Sequence, residues 1–515
     1  MSLRNVSYVL MVLAVVASLL AVVLMGESGW PGLHHDGALY ITPAVNSSIG
    51  KGHTIAVYST ALLRMNPEDL SFRGHGQLYQ FVLSALLAGG DMENLMPAIA
   101  TINAITLPVC GLYFFAGCSY QLRLGPLATA AVVTLGVWGT AAVLLWLQGR
   151  PEQLLPLILA SAGLARNMTS VVWVQDLISA LELALIGATS PLPGLIAAGC
   201  RLLVMALEHG ALSRFALRAV LLAATAAACW YGIIWIVYPF DPLELFFNTA
   251  SGRNLSVGPR ALRYLPHYWL WAPSLPLIGL PFAVLITQGV GSFFCNAYPW
   301  FQRAVIVLLA LICARWVANA GVYLPGLYYN LVGFYPAVLM AALHGLLRAR
   351  PAPLPAQAGK ALGVVLVVGM IGVSLGFVRE VLLLGWYRNC GVTLQEARQI
   401  TAHLFDDANS DDRIAIPSAS HRPSLVVLDD SNWRLLTLPD DYDLDSVGKI
   451  EKHLNVHVVA LLLPQADVLS QPPRTLDSWQ LCQNNWIWQK PTLLGFDLDA
   501  KMPGYQFAVY RRKSQ

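Results

Sequence analysis

Two acidic residues and a group of arginines stand beside apolar stretches in this 515-residue chain, where charge is scarce. Asp36 closes the triplet His34-His35-Asp36 and is followed by Gly37-Ala38-Leu39-Tyr40. A carboxylate there is either a turn or cap residue, or a general base that takes a proton from an incoming hydroxyl. Glu152 stands in Gln148-Gly149-Arg150-Pro151-Glu152-Gln153. Pro and then an acid suit the first turn of a helix, where the proline ring fits and the helix dipole favours negative charge. The same glutamate can instead face Asp36 across a shared cavity. Two carboxylates so placed hold a divalent metal or one shared proton, with His34, His35 and His75 as further candidate ligands. Arg253, Arg260 and Arg263 crowd one loop. They contact lipid headgroups or clamp a phosphate, which guanidinium does bidentately. Tyr328 and Tyr329 are either an aromatic belt or hydroxyl donors to a phosphate.

The elements that must position these groups lie in lipid. Of the residues, 56% are hydrophobic and 12% charged, against about 25% charged in an ordinary soluble domain. The mean hydropathy is +0.57. A net charge of +3 excludes a basic nucleic-acid binder. Apolar runs long enough to cross a bilayer, about 20 residues each, fall at 7–26, 95–117, 127–147, 152–165, 177–190, 192–207, 216–238, 269–288, 303–321, 328–346 and 361–384. That is an α-helical polytopic membrane protein of about eleven spans. The first run lacks a small-residue cleavage site and reads as a retained anchor. Arg4, Arg123, Arg166, Arg214, Arg218, Arg303, Arg348, Arg350 and Lys360 fall in short segments on one side, which places the N-terminus in the cytoplasm. With an odd number of spans the C-terminus is extracytoplasmic.

Nearly half of the charged side chains fall in residues 386–515. Residues 1–385 therefore form a membrane region and 386–515 a soluble, extracytoplasmic α/β domain. Within it, 393–405 has helical spacing, and 413–417, 424–428, 456–463 and 505–511 read as strands. Cys390 and Cys482 are its only cysteines. In an oxidising compartment they are expected to pair, the alternative being two free thiols. The long outside loop 27–94 holds an amphipathic stretch at 40–63, suited to the membrane interface. Residues 72–79 (Phe-Arg-Gly-His-Gly-Gln-Leu-Tyr) follow, then a run at 78–88 too short to span. Glu182 and Arg201 lie inside expected spans. Buried charges there are usually paired, and these two are expected to be structural partners on neighbouring helices.

This order of features resembles the GT-C superfamily of membrane glycosyltransferases, especially its protein mannosyltransferase and lipid A aminoarabinose transferase branches. The shared pattern is an anchor helix, a long loop beginning with an acid, a second acid after the third span, a basic loop and a Tyr-rich Leu-Pro segment. It covers roughly residues 7–350. The resemblance makes Asp36 the catalytic base, with Gly37 standing where many members carry Glu. It puts Arg73 or His75 near the donor phosphate, and Glu152 at the second-loop acid beside Arg150. Arg253 takes the place of the phosphate-binding arginine, with Arg260 in the same loop, and Tyr328 or Tyr329 that of the family tyrosine. It implies transfer of a sugar from a polyprenyl-phosphate donor to a lipid, glycan or protein acceptor on the extracytoplasmic face of the inner membrane, with inversion. Members of the family differ in their need for a metal, so the resemblance leaves the cofactor open; a divalent metal at Asp36 and Glu152 is a candidate. The rival reading is a transporter or lipid flippase, for which Glu182, Arg201 and the Pro191/Pro193 break supply the midplane signature.

Overall fold

The computed structural model describes residues 3–28, 35–50, 76–87, 94–191 except 148, much of 193–201, and 212–238. It also describes short pieces at 52–59, isolated positions at 242 and between 333 and 382, and, beyond 412, the strands. The helices are α1 (Leu3–Ser28), α2 (His35–Ser48), α3 (Gln77–Leu87), α4 (Leu95–Ala116), α5 (Pro126–Trp146), α6 (Leu155–Asn167), α7 (Val172–Thr189) and α8 (Leu212–Val237). A π turn, Gly117–Gln121, extends α4. The described residues between 191 and 201 are helical between α7 and α8.

Among the described residues, five helical segments are long and apolar enough to cross a membrane: Asn5–Leu24, Leu95–Gln121, Pro126–Leu145, Val172–Thr189 and Ala216–Val237. Each coincides with an expected span; the run expected at 152–165 is instead the 13-residue α6, which is not among them. Leu20 and Val12 of α1 and Leu112 of α4 are exposed in the isolated chain. In lipid that exposure costs nothing, since acyl chains are as apolar as leucine, and close packing rather than apolar burial holds such helices together. Small residues permit the approach. Gly136 of α5 lies against the Phe114 ring of α4, and Gly163 of α6 against Tyr113. Met11, Leu107, Cys110, Phe114, Val137 and Ala141 form one buried cluster among α1, α4 and α5. The runs expected at 269–288, 303–321, 328–346 and 361–384 lie wholly or largely outside the described residues.

The charges inside the bundle are paired, but not as expected. Glu182 of α7 accepts from Arg166 at the end of α6, in a two-point contact that includes a 3.2 Å bond from Nη2. Arg201 approaches Asp176 instead, at 3.5 Å. The expectation failed because the helix rotations, and not the spacing of charges along the chain, decide which pairs meet.

The expected interfacial stretch at 40–63 also differs. Its helix ends at Ser48, and Tyr40 to Asn46 are buried on every side. A stretch buried on every side has no face to lay on headgroups; α2 packs against α3. Gly50 and Gly52, at φ +81° and +78°, then turn the chain. The short run near 78–88 is α3, and it turns Gln77, Tyr79, Gln80, Leu83 and Leu87 inward.

Beyond the helices lies a seven-stranded mixed sheet of order β1-β3-β2-β4-β9-β6-β5, beside a two-stranded ladder of β7 (Thr492–Leu493) and β8 (Phe496–Asp497). Its strands are β1 (Val57–Ser59), β2 (Arg413–Pro417), β3 (Leu435–Leu438), β4 (Val456–Pro464), β5 (Thr475–Leu476), β6 (Trp479–Trp488) and β9 (Tyr505–Arg512). The strands expected at 413–417, 456–463 and 505–511 are present. Those expected at 424–428, and the helix at 393–405, lie outside the described residues. β6 escaped the sequence reading because Gln483-Asn484-Asn485 breaks its alternation. In the sheet that stretch absorbs two register shifts against β9, as a bulged strand does. The edge strand β1 comes from the loop 27–94 and pairs in parallel with β3, Val57 opposite Leu435.

Candidate functional site

The best-defined polar cluster lies where α5 hands over to α6. Gly149 takes φ +77° and turns the chain back. Arg150 is extended, and Pro151–Leu154 form one 3₁₀ turn that leads into α6. The expected proline-then-acid helix start is therefore present. Its side chains are inside the protein: Arg150 is 4% exposed and Glu152 0%. Arg150 Nε donates to Glu152 Oε2 at 3.2 Å. Ser190, just past the end of α7, donates to the other oxygen at 3.4 Å. The Arg150 guanidinium sits 5.7 Å from the centre of the Tyr40 ring of α2, within cation–π range.

Next to this pair runs a ladder of neutral groups. Tyr79 of α3 donates to Gln153 Oε1 at 3.1 Å, and the Gly149 N–H reaches the same oxygen at 3.3 Å. Gln153 Nε2 donates to Asn103 Oδ1 of α4 at 2.5 Å. Burial pushes the Tyr79 hydroxyl far above its ordinary pKa, so it stays a donor. Asn103 Nδ2 and both amide atoms of Gln80, which is 1% exposed, are buried without a protein partner. Buried amides normally find partners; these retain capacity for a hydroxyl or a water.

Glycine governs how closely the neighbouring segments approach. At Gly76, φ +102°, a Cβ would lie 2.6 Å from Pro151 Cγ and 3.2 Å from Tyr40 Cδ1. A Cβ on Gly333 would lie 3.1 Å from the Glu152 carbonyl oxygen. Gly76→Ala combines backbone strain with a clash, and a loss of about 2–4 kcal/mol is expected. Gly50→Ala has the strain without the clash, as nothing lies within 4 Å. The unfolding midpoint in detergent should therefore fall clearly further for Gly76→Ala; equal midpoints would mean that the segment does not dock on Pro151.

Among the sequence-derived candidates, Arg150 and Glu152 are together. Asp36 is the second residue of α2, one helical turn before Tyr40; its side chain is outside the described residues. Arg73, His75, Arg253, Arg260, Tyr328, Tyr329 and Cys390 also lie outside them. Cys482 is on β6, with only its backbone described. His53 is buried edge-on to Tyr238 at the end of α8, with ring centres 5.5 Å apart. Burial lowers its pKa to about 4, so it is neutral at physiological pH. Tyr40 closes the stretch that carried the resemblance, whereas Tyr79, Asn103, Gln153 and Ser190 were not singled out from sequence. Asn103 carried a usable signal, a carboxamide in the middle of an apolar span.

The other expected metal ligands, His34, His75 and the side chains of His35 and Asp36, lie outside the described residues, and of Glu152 this much is described. Its two oxygens accept from a guanidinium and a hydroxyl, and a divalent ion would have to displace a cation already in place. Among the described residues no three His, Cys, Asp or Glu side chains gather at one point.

The sequence matches no protein-family model and no curated protein sequence. Solved structures do match. One is the oligosaccharyltransferase of Archaeoglobus fulgidus, crystallised as a complex with Zn and sulfate. It superposes with a TM-score of 0.50 at 12% identity, covering 87% of this chain and 67% of that one. At that identity the likeness is one of fold alone.

Proposed function

We propose that the chain is a membrane glycosyltransferase that moves a sugar from a polyprenyl-phosphate donor to an acceptor hydroxyl, at the end of the bundle that holds Arg150 and Glu152. The observation that carries this reading is the buried Arg150–Glu152 pair. It packs against Tyr40, one turn from Asp36 on α2, within a fold shared with an oligosaccharyltransferase. Two buried charges on one short turn are costly to assemble, and a cation fixed there suits an anionic leaving group.

In this reading Asp36 is the general base. The acceptor oxygen attacks the anomeric carbon and gives its proton to Asp36. The bond from that carbon to the phosphate oxygen breaks, and polyprenyl phosphate leaves with the electron pair, inverting the anomeric centre. Glu152 is a positioning residue that holds Arg150 in place. Arg150, Arg73, His75, Arg253 and Arg260 supply positive charge for the phosphate, the largest electrostatic requirement of the step. Tyr328 and Tyr329 donate hydrogen bonds to it. Gly333, four residues past Tyr329, meets the Glu152 carbonyl, which supports that placement. The unpartnered amides of Gln80 and Asn103 suit sugar hydroxyls, which both donate and accept. The site faces the extracytoplasmic side of the inner membrane, with the N-terminus cytoplasmic and residues 386–515 outside, where Cys390 and Cys482 pair. A transporter fits less well, because Glu182 is matched by Arg166 and does not offer a free midplane charge.

The test is turnover of a polyprenyl-phosphate hexose by the purified protein. Arg253→Ala is expected to lower the rate about 10²- to 10³-fold. A wild-type protein that releases no polyprenyl phosphate from any such donor, or an unaltered rate in Arg253→Ala, would overturn the assignment.

A further inference from the structure

The loop between α2 and α3 leaves the bundle and returns to it. On its way out His53 is buried edge-on against Tyr238, with ring centres 5.5 Å apart. Tyr238 clusters with Ala188 and Ile234, and Leu78 of α3 packs on the same group. Ala188 stands two residues before Ser190, which donates to Glu152. On the way back Gly76 lies against Pro151 and Tyr40. Both ends of the excursion are therefore fixed at the end of the bundle that holds the Arg150–Glu152 pair. Between them Val57–Ser59 forms β1, the edge strand of a sheet whose other strands all come from residues beyond 412.

Chain length makes that placement tight. Val57 follows His53 by four positions, so their Cα atoms stand at most about 14 Å apart. Paired strands run about 4.8 Å from one another, and Val57 is opposite Leu435 of β3. β3 is thus held within about 20 Å of His53, at the same end of the bundle as the buried charge pair. Main-chain pairing at a sheet edge is also how a sheet takes up a peptide from elsewhere, with little demand on its side chains. We propose that His53 and β1 form a strap that docks the sheet of residues 413–512 on the Arg150–Glu152 end of the bundle, and that the sheet is thereby a wall of the entrance to that site. The docking follows from pairing and reach alone. Its consequence rests on the glycosyltransferase reading: the acceptor reaches the donor between sheet and bundle, and fast transfer needs the strap paired.

A disulfide across the paired strands of the full chain tests the docking. Ser59 stands opposite Thr437, and a strand spacing of about 4.8 Å lies within the Cα separation that a disulfide bridges. Ser59→Cys with Thr437→Cys should close on mild oxidation with diamide, read by mass spectrometry as a linked peptide. Ser59→Cys with Leu435→Cys is two residues out of register, about 8 Å apart, and should not close. No closure of the first pair, or equal closure of both, would overturn the strap. The second arm breaks the pairing in the Ser59→Cys, Thr437→Cys protein. Val57→Pro and Tyr58→Pro together remove two successive N–H groups, one of which faces the partner strand in either phase of a ladder. With the thiols reduced, this protein should turn over polyprenyl-phosphate hexose about tenfold or more slowly than its proline-free parent, since small misplacements near a site are costly. Oxidation should restore the rate to within about threefold by tying the strand back, which a general loss of fold would not allow. An undiminished rate in the reduced protein, or a loss that oxidation does not reverse, would each overturn the proposal. A wild-type chain that turns over no such donor sinks the glycosyltransferase reading instead, and the disulfide arm then decides the docking by itself.

Discussion

Asp36→Asn should slow sugar transfer about 10²- to 10⁴-fold, the usual contribution of a positioned general base, while folding and donor binding stay near wild type. The amide has the shape of the carboxylate but cannot take the acceptor's proton. Asp36 lies in the first turn of α2, where a negative charge is worth about 0.3–1 kcal/mol against the helix dipole. That dipole term is small, and the unfolding midpoint of the variant, measured beside its rate, separates a loss of chemistry from a loss of fold. The pH dependence separates a base from a mere ligand. The wild-type rate should fall as acid protonates the carboxylate, and the variant should lose that limb of the profile. Transfer by Asp36→Asn within about threefold of wild type, with the acid limb retained, would remove Asp36 from the chemistry. The Arg253→Ala assay would then show whether donor phosphate binding survives as a role for the site.

The largest expected effect on stability is at the Arg150–Glu152 pair. Removing one member leaves the other charge buried without its partner, at a cost of about 3–5 kcal/mol. Both side chains are almost fully inside the protein, 5% and 1% exposed, so screening by solvent does little to soften the loss. Arg150→Ala and Glu152→Ala should each lower the unfolding midpoint in detergent by on the order of 10 °C. The double variant should cost much less than the two together, because no lone charge remains. Its transfer rate should nevertheless stay low, since the cation that faces the phosphate is gone. Glu152→Gln keeps one acceptor oxygen for Arg150 and offers its amide N–H to the Ser190 hydroxyl, which can accept, and should fold better than Glu152→Ala. Strictly additive effects of the two alanine substitutions would mean that the pair is not the buried contact described. A double variant with wild-type activity would make the pair structural only.

The two proposed roles differ in how visible they were from sequence. Pro151 and Glu152 announced a helix start, and the helix start is there. The sequence also offered Glu152 a place facing Asp36, and the structure gives its carboxylate to Arg150, two residues away. Tyr40, Asn103 and Ser190 come from α2, α4 and the end of α7. Nothing in their local spacing ties them to the turn at Gly149. Likewise the alternation of β2, β4 and β9 was plain, whereas β6 was hidden by a polar triplet that only its pairing with β9 explains.

What the amino-acid order determined by itself is where the chain enters lipid. Insertion depends on transfer free energy summed over about 20 contiguous residues, a local quantity that hydropathy reads directly. The five apolar helices accordingly fall where expected. What only the tertiary structure decided is which groups meet. Arg166 takes Glu182, Arg201 meets Asp176, and Tyr40 to Asn46 of α2 are buried instead of lying on the surface. Those outcomes follow from the rotation and order of helices packed by close contact in a solvent as apolar as their own side chains, and a one-dimensional pattern carries no record of that rotation.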